Sequence, residues 1–152
     1  MRMTGLNWHP FRMEFPILFG GQIESLWVGE GWFHILWDLC GALEALTRTR
    51  LEEGFPPVRV RQVKEKYGTM RMYVEGGTEE VDDLIDAAEV RSENICEVCG
   101  APGSIHTIRG WDKALCPFHE LESKIASGTK FEDIRKEAEA RNLIGGFRIK
   151  GG

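Results

Sequence analysis

Four side chains that bind soft metal ions are spaced in two pairs in the C-terminal half of the sequence. Cys96 and Cys99 form a C-x-x-C pair, and Cys116 and His119 form a C-x-x-H pair after 16 intervening residues. Zinc prefers four thiolate or imidazole ligands arranged as a tetrahedron, and paired ligands at this spacing are typical of zinc fingers. The sequence therefore predicts one Zn²⁺ ion held by these four residues.

Four protein ligands complete a zinc tetrahedron and leave no position for water or substrate, so we expect a structural ion. A disulfide framework is disfavoured because the first segment lacks the apolar core of a signal peptide. A thioredoxin-like redox pair is disfavoured because a second Cys/His pair is present and the βαβ pattern is missing. His106 is a competing ligand, but its position within a predicted hairpin favours a surface residue.

The residues around the four ligands predict a knuckle, a hairpin and a helix, which is the treble-clef order. Gly100 follows the second cysteine, where a tight turn favours glycine. Residues 104–115 read as the hairpin. Pro117 lies where a helix running to about residue 126 would begin. We assign residues 95–128 to this zinc-binding lobe.

The preceding residues, 1–94, predict an α+β body. Apolar residues recur at three- and four-residue steps over 30–50, which indicates a central amphipathic helix. Residues 58–75 alternate as an antiparallel hairpin that turns at Tyr67-Gly68, with a bulge near Gln62. The helix is expected to pack on this hairpin.

Two further helices and one irregular stretch complete the prediction. Thr78 caps a helix over 78–91 that carries acidic residues in its first turn. The apolar stretch before the central helix, 11–22, contains Pro16 and a Gly-Gly pair and predicts irregular or extended structure. Residues 129–152 predict a C-terminal helix, started by a Thr129/Glu132 capping box, and a short tail strand at 147–150, both packing on the body.

Basic side chains are concentrated in the predicted hairpin of a chain whose net charge is −5. The following segment, 74–95, holds eight acidic residues against Arg91 alone. Surface charges of opposite sign most often neutralise one another, and a basic patch also attracts an acidic partner. The candidate partner-binding residues are Arg59, Arg61, Lys64, Lys66 and Arg71.

Several functional classes lack support in the sequence. No apolar run approaches the length of a membrane helix, so we expect a cytoplasmic protein without a membrane partner. No nucleotide-binding or hydrolase motif occurs, and the solitary Cys40 is expected to be a buried apolar residue. An HNH-like metal-dependent nuclease, with His106 as its base, is an alternative because such enzymes also use a treble-clef scaffold.

Three segments carry a family resemblance: GEGWFHILWDLC at 29–40, VKEKYGTMRMYVEGG at 63–77, and ICEVCGAPG with W…LCPFHE between 95 and 120. In these the chain resembles an uncharacterised family of small bacterial and phage-borne proteins with a C-terminal treble-clef-like zinc finger. The resemblance implies a zinc-binding module fused to an α+β body. Through C-x-x-C-G and L-C-x-x-[CH], the finger also resembles that of the DksA/TraR regulators of RNA polymerase, although their long coiled coil is absent here.

These observations predict a non-enzymatic, zinc-stabilised binding protein. The phage association implied by the resemblance points to a host protein or macromolecular complex as the partner, for example a defence system that the protein inhibits. A nucleic-acid or RNA-polymerase-associated regulator is the alternative, because the predicted hairpin places Tyr67 and Tyr73 among basic residues, as single-strand binders do.

Overall fold

The structure, a computed structural model, describes residues 3–141. Within them the fold is α+β, as predicted: helices accompany two small sheets, and a central helix shares its hydrophobic core with one of them. The elements are α1 (His9–Glu14), β1 (Ser25–Leu26), a 3-10 helix (Glu30–Trp32), α2 (Phe33–Glu52), β2 (Arg59–Lys66), β3 (Thr69–Glu75), α3 (Glu79–Ser92), β4 (Ser104–Ile108), β5 (Trp111–Leu115), α4 (Pro117–Ala126) and α5 (Phe131–Ala140).

The predicted central helix is confirmed as α2, which the 3-10 helix precedes. Its wide apolar stripe is buried, and Trp32, Leu36 and Leu43 are completely inaccessible to solvent. One acidic residue also lies on the buried face. Glu44 accepts hydrogen bonds from the backbone N–H groups of Ile17 and Leu18, both at 3.0 Å, so its carboxylate fixes the N-terminal segment on α2.

The predicted hairpin is confirmed as β2 and β3, including its turn and its bulge. Tyr67 and Gly68 both have positive φ angles, 53° and 81°, which suit a two-residue turn between twisted strands. The register shifts between Val60 and Gln62. A third strand was not predicted: β1 pairs parallel with β2, although it is only two residues long.

Helix α3 packs against both α2 and β3. Its predicted cap is confirmed, since the Thr78 hydroxyl accepts a hydrogen bond from the N–H of Val81. At its other end, the Ser92 hydroxyl accepts a 2.9 Å bond from the N–H of Met70. Because β3 is the edge strand of the sheet, this N–H has no neighbouring strand to bond to, and the Ser92 hydroxyl supplies its acceptor.

The prediction of irregular or extended structure for 11–22 was wrong at its start, because α1 covers His9–Glu14. Pro10 occupies the first turn of α1, where its missing N–H costs nothing. Phe11 is fully buried one turn before Phe15, and its ring packs against Trp37 of α2. Tertiary burial of these aromatic rings therefore fixes a helix that is too short to be stable alone.

The predicted Thr129 cap was also wrong. Gly128 has a φ of +83° and ends α4, and the Thr129 N–H then bonds to the carbonyl of Lys124. Thr129 thus belongs to the C-terminal turn of α4, and Lys130 occupies the N-cap of α5 without a side-chain bond.

A knuckle, a hairpin and a helix follow the body in the predicted order. An isolated bridge between Ile95 and Pro102 closes the knuckle, β4 pairs with β5, and α4 follows. Helix α5 lies against α4, to which it is joined by a Lys124–Glu137 ion pair and by Arg141. Residues 142–152, which include the predicted tail strand, lie outside the described residues.

Candidate metal centre

The structure brings the four predicted ligands together. Their ligand atoms all lie within 4.8 Å of one another. Among residues 3–141, these four side chains form a cluster that could hold a metal ion. The Cys99 and Cys116 sulfurs are 3.8 Å apart. His119 Nδ1 lies 3.6 Å from the Cys96 sulfur and 3.2 Å from that of Cys116. The four predicted ligands thus form a Cys₃His cluster that could hold a metal ion.

Local backbone turns orient the two pairs of ligands toward the same place. In the knuckle, the Gly100 N–H bonds to the Cys96 carbonyl, and the φ of Gly100 is +80°, a conformation that favours glycine. In the second pair, Cys116 is the N-cap of α4 and Pro117 follows in the first turn. His119 then lies on that first turn, with its N–H 3.4 Å from the Cys116 sulfur.

The surroundings of the thiols differ in their effect on the pKa. Burial raises the pKa of Cys116, but the hydrogen bonds from the backbone and ring of His119 outweigh it and hold the pKa at about 7. Desolvation raises the pKa of Cys99 to about 11. A bound cation would displace both protons, because a coordinating thiol is deprotonated.

The 3-10 turn of the body docks directly on the metal knuckle. The Gly31 N–H donates to the Glu97 carbonyl at 2.8 Å, and the Gly29 N–H donates to the Glu97 carboxylate at 2.8 Å. The indole N–H of Trp32 donates to the carbonyl of Ile95 at 2.9 Å. Three hydrogen bonds therefore join the body to the loop that carries Cys96 and Cys99.

Glycine is needed at this contact for steric reasons. A Cβ added to Gly31 would lie 2.2 Å from the carbonyl oxygen of Cys96 and 2.5 Å from that of Glu97. Both are backbone atoms that cannot rotate away. Glu97 is itself only 3% exposed, and burial raises the pKa of its carboxyl group to about 7 despite the Gly29 hydrogen bond. Sequence analysis missed this interface; the Gly-x-Gly pair before Trp32 was its only local signal.

The five basic candidates fall into two groups. Arg61 is paired with Glu24 and Glu75, and Arg71 lies 3.7 Å from Glu89 of α3. The others, Arg59, Lys64 and Lys66, have no carboxylate partner among residues 3–141. The expected neutralisation by the acidic helix is therefore limited to Arg71.

Two of the unpaired cations lie over exposed tyrosine rings. The Lys64 ammonium is 5.5 Å from the ring centre of Tyr73, and the Lys66 ammonium is 5.5 Å from that of Tyr67. The two rings are 44% and 69% exposed. Cation–π contacts thus hold two lysine side chains over tyrosine rings on the outer face of the β2–β3 hairpin.

The other singled-out residues lie away from the metal ligands. Cys40 is completely buried in α2, as expected, and burial strongly raises the pKa of its thiol. His106 lies outside the Cys₃His cluster, but it is not isolated. Its ring contacts Glu120 through Nδ1 and Ser104 through Nε2. Sequence analysis missed this trio; only the Ser-x-His alternation within one strand indicated that two of its members share a face.

No family model, curated protein or solved structure matches the chain. No helix in residues 3–141 is long and apolar enough to cross a membrane. The described fold and site define an α+β protein whose C-terminal lobe carries a Cys₃His cluster that could hold a metal ion.

Proposed function

We propose that the chain is a zinc-stabilised binding protein that holds an acidic macromolecule on the outer face of β2 and β3. The observation that carries the proposal is the set of three cations there, Arg59, Lys64 and Lys66, which no described carboxylate neutralises. Elsewhere the chain is acidic, so this face is where an acidic partner would be steered.

Zinc is the proposed metal because of the donor atoms and their separations. Zn–S bonds of about 2.3 Å and Zn–N bonds of about 2.0 Å place the atoms of a tetrahedron about 3.5–3.8 Å apart. Two of the three measured separations, 3.8 and 3.6 Å, match these values, and the third is 3.2 Å. Elemental analysis of protein purified without added metal is expected to give one zinc per chain; an iron–sulfur absorbance would contradict the assignment.

An acidic protein surface is the partner that this chemistry fits best. Tyrosine is enriched in protein interfaces because its ring buries a large apolar area, and cations beside the ring steer an acidic partner to it. Lys64 and Lys66 are already held over Tyr73 and Tyr67, which reduces the conformational freedom that binding would remove. The resemblance to phage-borne proteins supports a host protein or complex, such as a defence system, as the source of that surface.

A single-stranded nucleic acid is the second candidate. The two lysines of β2 beside the exposed tyrosines of the turn and of β3 favour it, because bases stack on aromatic rings while cations contact the phosphates. Such binding weakens steeply as the salt concentration rises. The net charge of −5 opposes it outside this face.

The test compares two double variants with the same change in net charge. Lys64→Glu with Lys66→Glu reverses the proposed face, and Lys130→Glu with Lys136→Glu reverses two exposed lysines at α5. Wild-type and variant proteins are used to capture partners from nuclease-treated host lysate, with quantitative mass spectrometry. We expect a protein that the wild type and the α5 variant retain and the β2 variant loses.

Two results would contradict the proposal. One is an identical set of captured proteins for all three forms, with unchanged melting temperatures. The other is that no protein is captured, while the wild type and the α5 variant bind a single-stranded oligonucleotide in a low-salt gel shift and the β2 variant does not. That result would favour the nucleic-acid candidate.

A further inference from the structure

Three side chains of the metal lobe form a connected polar chain on the side of β4 that faces α4. Ser104 and His106 are two residues apart on β4, so their side chains lie on the same face. The Ser104 hydroxyl is 3.1 Å from His106 Nε2, and His106 Nδ1 contacts the Glu120 carboxylate. The order of atoms is hydroxyl, Nε2, Nδ1, carboxylate.

The carboxylate determines which ring nitrogen carries the proton. Glu120 is only 7% exposed, contacts His106 Nδ1, accepts hydrogen bonds from Arg141 and forms a 3.6 Å ion pair with Lys124, so all its neighbours are donors or cations. In a neutral imidazole, Nδ1 therefore bears the hydrogen and Nε2 has a free lone pair. That lone pair faces the Ser104 hydroxyl and can take its proton.

We propose that Ser104, His106 and Glu120 form a hydrolytic site for short-chain carboxylic esters, with Ser104 as the nucleophile. His106 is the general base and then the general acid, and Glu120 is the positioning residue that fixes the imidazole. This role is independent of partner binding by β2 and β3 and was not expected from the sequence.

The reaction follows from the positions of the three groups. Ser104 Oγ forms a bond to the acyl carbon of the ester while its proton passes to His106 Nε2. The C–O bond to the alcohol breaks, and the alcohol leaves with that proton. Water then attacks the acyl-serine and gives a proton to Nε2, which returns it to Ser104 as the carboxylic acid is released.

A cleft beside the three residues supplies the place for the substrate. It has a volume of about 600 Å³ and is lined by Ser104, His106, Glu120 and Arg141 together with apolar Pro102 and Pro117. The apolar walls suit a short acyl chain. Arg141 brings guanidinium N–H groups to the same cleft, where negative charge develops on the carbonyl oxygen during attack.

The protonation of His106 also suits a base. Burial lowers the pKa of His106 below its ordinary value, while the carboxylate of Glu120 opposes this effect. The charged groups that face the ring are Glu120 and Lys124 from α4 and Glu137 and Arg141 from α5. The ring is therefore neutral at pH 7, as proton abstraction from Ser104 requires.

The test uses the metal-loaded protein and two probes, a fluorophosphonate that labels activated serines and p-nitrophenyl butyrate. We expect one fluorophosphonate adduct, mapped by peptide mass spectrometry to Ser104, and ester hydrolysis that Ser104→Ala abolishes. Ser25→Ala, which removes an exposed serine of β1, is the matched control and is expected to keep both activities.

The base is tested separately from the nucleophile. His106→Gln is expected to lower the labelling rate about 100-fold or more, the usual contribution of a general base. It leaves the contacts of Glu120 with Lys124 and Arg141 in place, so its metal content and melting temperature serve as the folding check. In the wild type, the labelling rate is expected to rise with pH through a pKa below the ordinary value of histidine and then level off.

The positioning role is tested by the pH profile of Glu120→Gln. An amide leaves the ring free to adopt either tautomer, so the labelling rate is expected to fall and its pH midpoint to shift. The proposal is overturned if Ser104 takes no label, if folded His106→Gln is labelled as fast as the wild type, or if Ser104→Ala hydrolyses the ester at the wild-type rate.

Discussion

The docking of the body on the metal knuckle can be tested with one methyl group. Gly31 lies in the 3-10 helix, and its φ is not in the left-handed region, so alanine is permitted there by the backbone itself. The added Cβ would nevertheless lie 2.2 Å from the Cys96 carbonyl oxygen. Gly31→Ala must therefore move the turn away from the knuckle or distort the knuckle.

The expected cost follows from two contributions. Overpacking a rigid contact costs about 1–3 kcal/mol, and loss of the hydrogen bond from Gly31 to Glu97 adds about 1 kcal/mol. We expect a decrease of about 2–4 kcal/mol in the free energy of unfolding. Gly41→Ala is the matched control: its Cβ would meet only Phe15, at 4.0 Å, in the middle of α2. There alanine is expected to add up to about 1 kcal/mol, because glycine is a poor helix former.

Urea unfolding of the metal-loaded proteins, followed by tryptophan fluorescence, measures both effects. The free energy of unfolding decreases by about 2 kcal/mol per molar urea for a protein of this size. The urea concentration at the midpoint of unfolding is therefore expected to fall by about 1–2 M for Gly31→Ala and to rise or stay unchanged for Gly41→Ala. Metal affinity, measured by competition with a chromophoric chelator, is expected to fall for Gly31→Ala alone. Wild-type stability and affinity in that variant would show that the body and the knuckle do not depend on each other.

Two further predictions concern the buried polar groups of α2 and the ligand thiols. Glu44→Ala leaves the buried N–H of Leu18 and the part-buried N–H of Ile17 without an acceptor and is expected to cost about 2–5 kcal/mol in urea unfolding. Glu52→Ala, at an exposed position, is expected to cost less than about 0.5 kcal/mol. After chelation of the metal, iodoacetamide is expected to add three carbamidomethyl groups by intact mass, one on each ligand cysteine. A fourth, on Cys40, would show that loss of the metal unfolds the body too.

The longer helices and the main hairpin were predictable because their signals are local. Periodicity defines α2 and α3, and the Tyr67-Gly68 turn defines the strands beside it. The missed elements depend on distant residues. Strand β1 is two residues that become a strand only by pairing with β2, and α1 forms because Phe11 packs on α2. Neither interaction leaves a periodic pattern in the sequence.

The metal ligands were predictable for a related reason. A C-x-x-C pair and a C-x-x-H pair each fix two side chains through local backbone geometry, and the fold brings the two pairs together where one ion could join them. The trio of Ser104, His106 and Glu120 has no such signature, because its carboxylate comes from a different element. His106 and Glu120 come into contact only because β5 reverses the direction of the chain after β4 and α4 then begins at the Cys₃His cluster.

The metal cluster supports both candidate sites through different contacts. Glu120 directly follows His119 of the Cys₃His cluster, so an ion bound there would fix the first turn of α4 and with it the carboxylate that contacts His106. The turn of the basic hairpin rests on the lobe: a Cβ on Gly68 would lie 2.8 Å from Ile105 of β4. Loss of the metal should therefore disturb the ester cleft through α4 and the basic face through the β4–β5 hairpin. Substitutions in one site leave the supports of the other unchanged, so the two proposed activities are expected to be separable by mutation, although both would depend on the proposed metal ion.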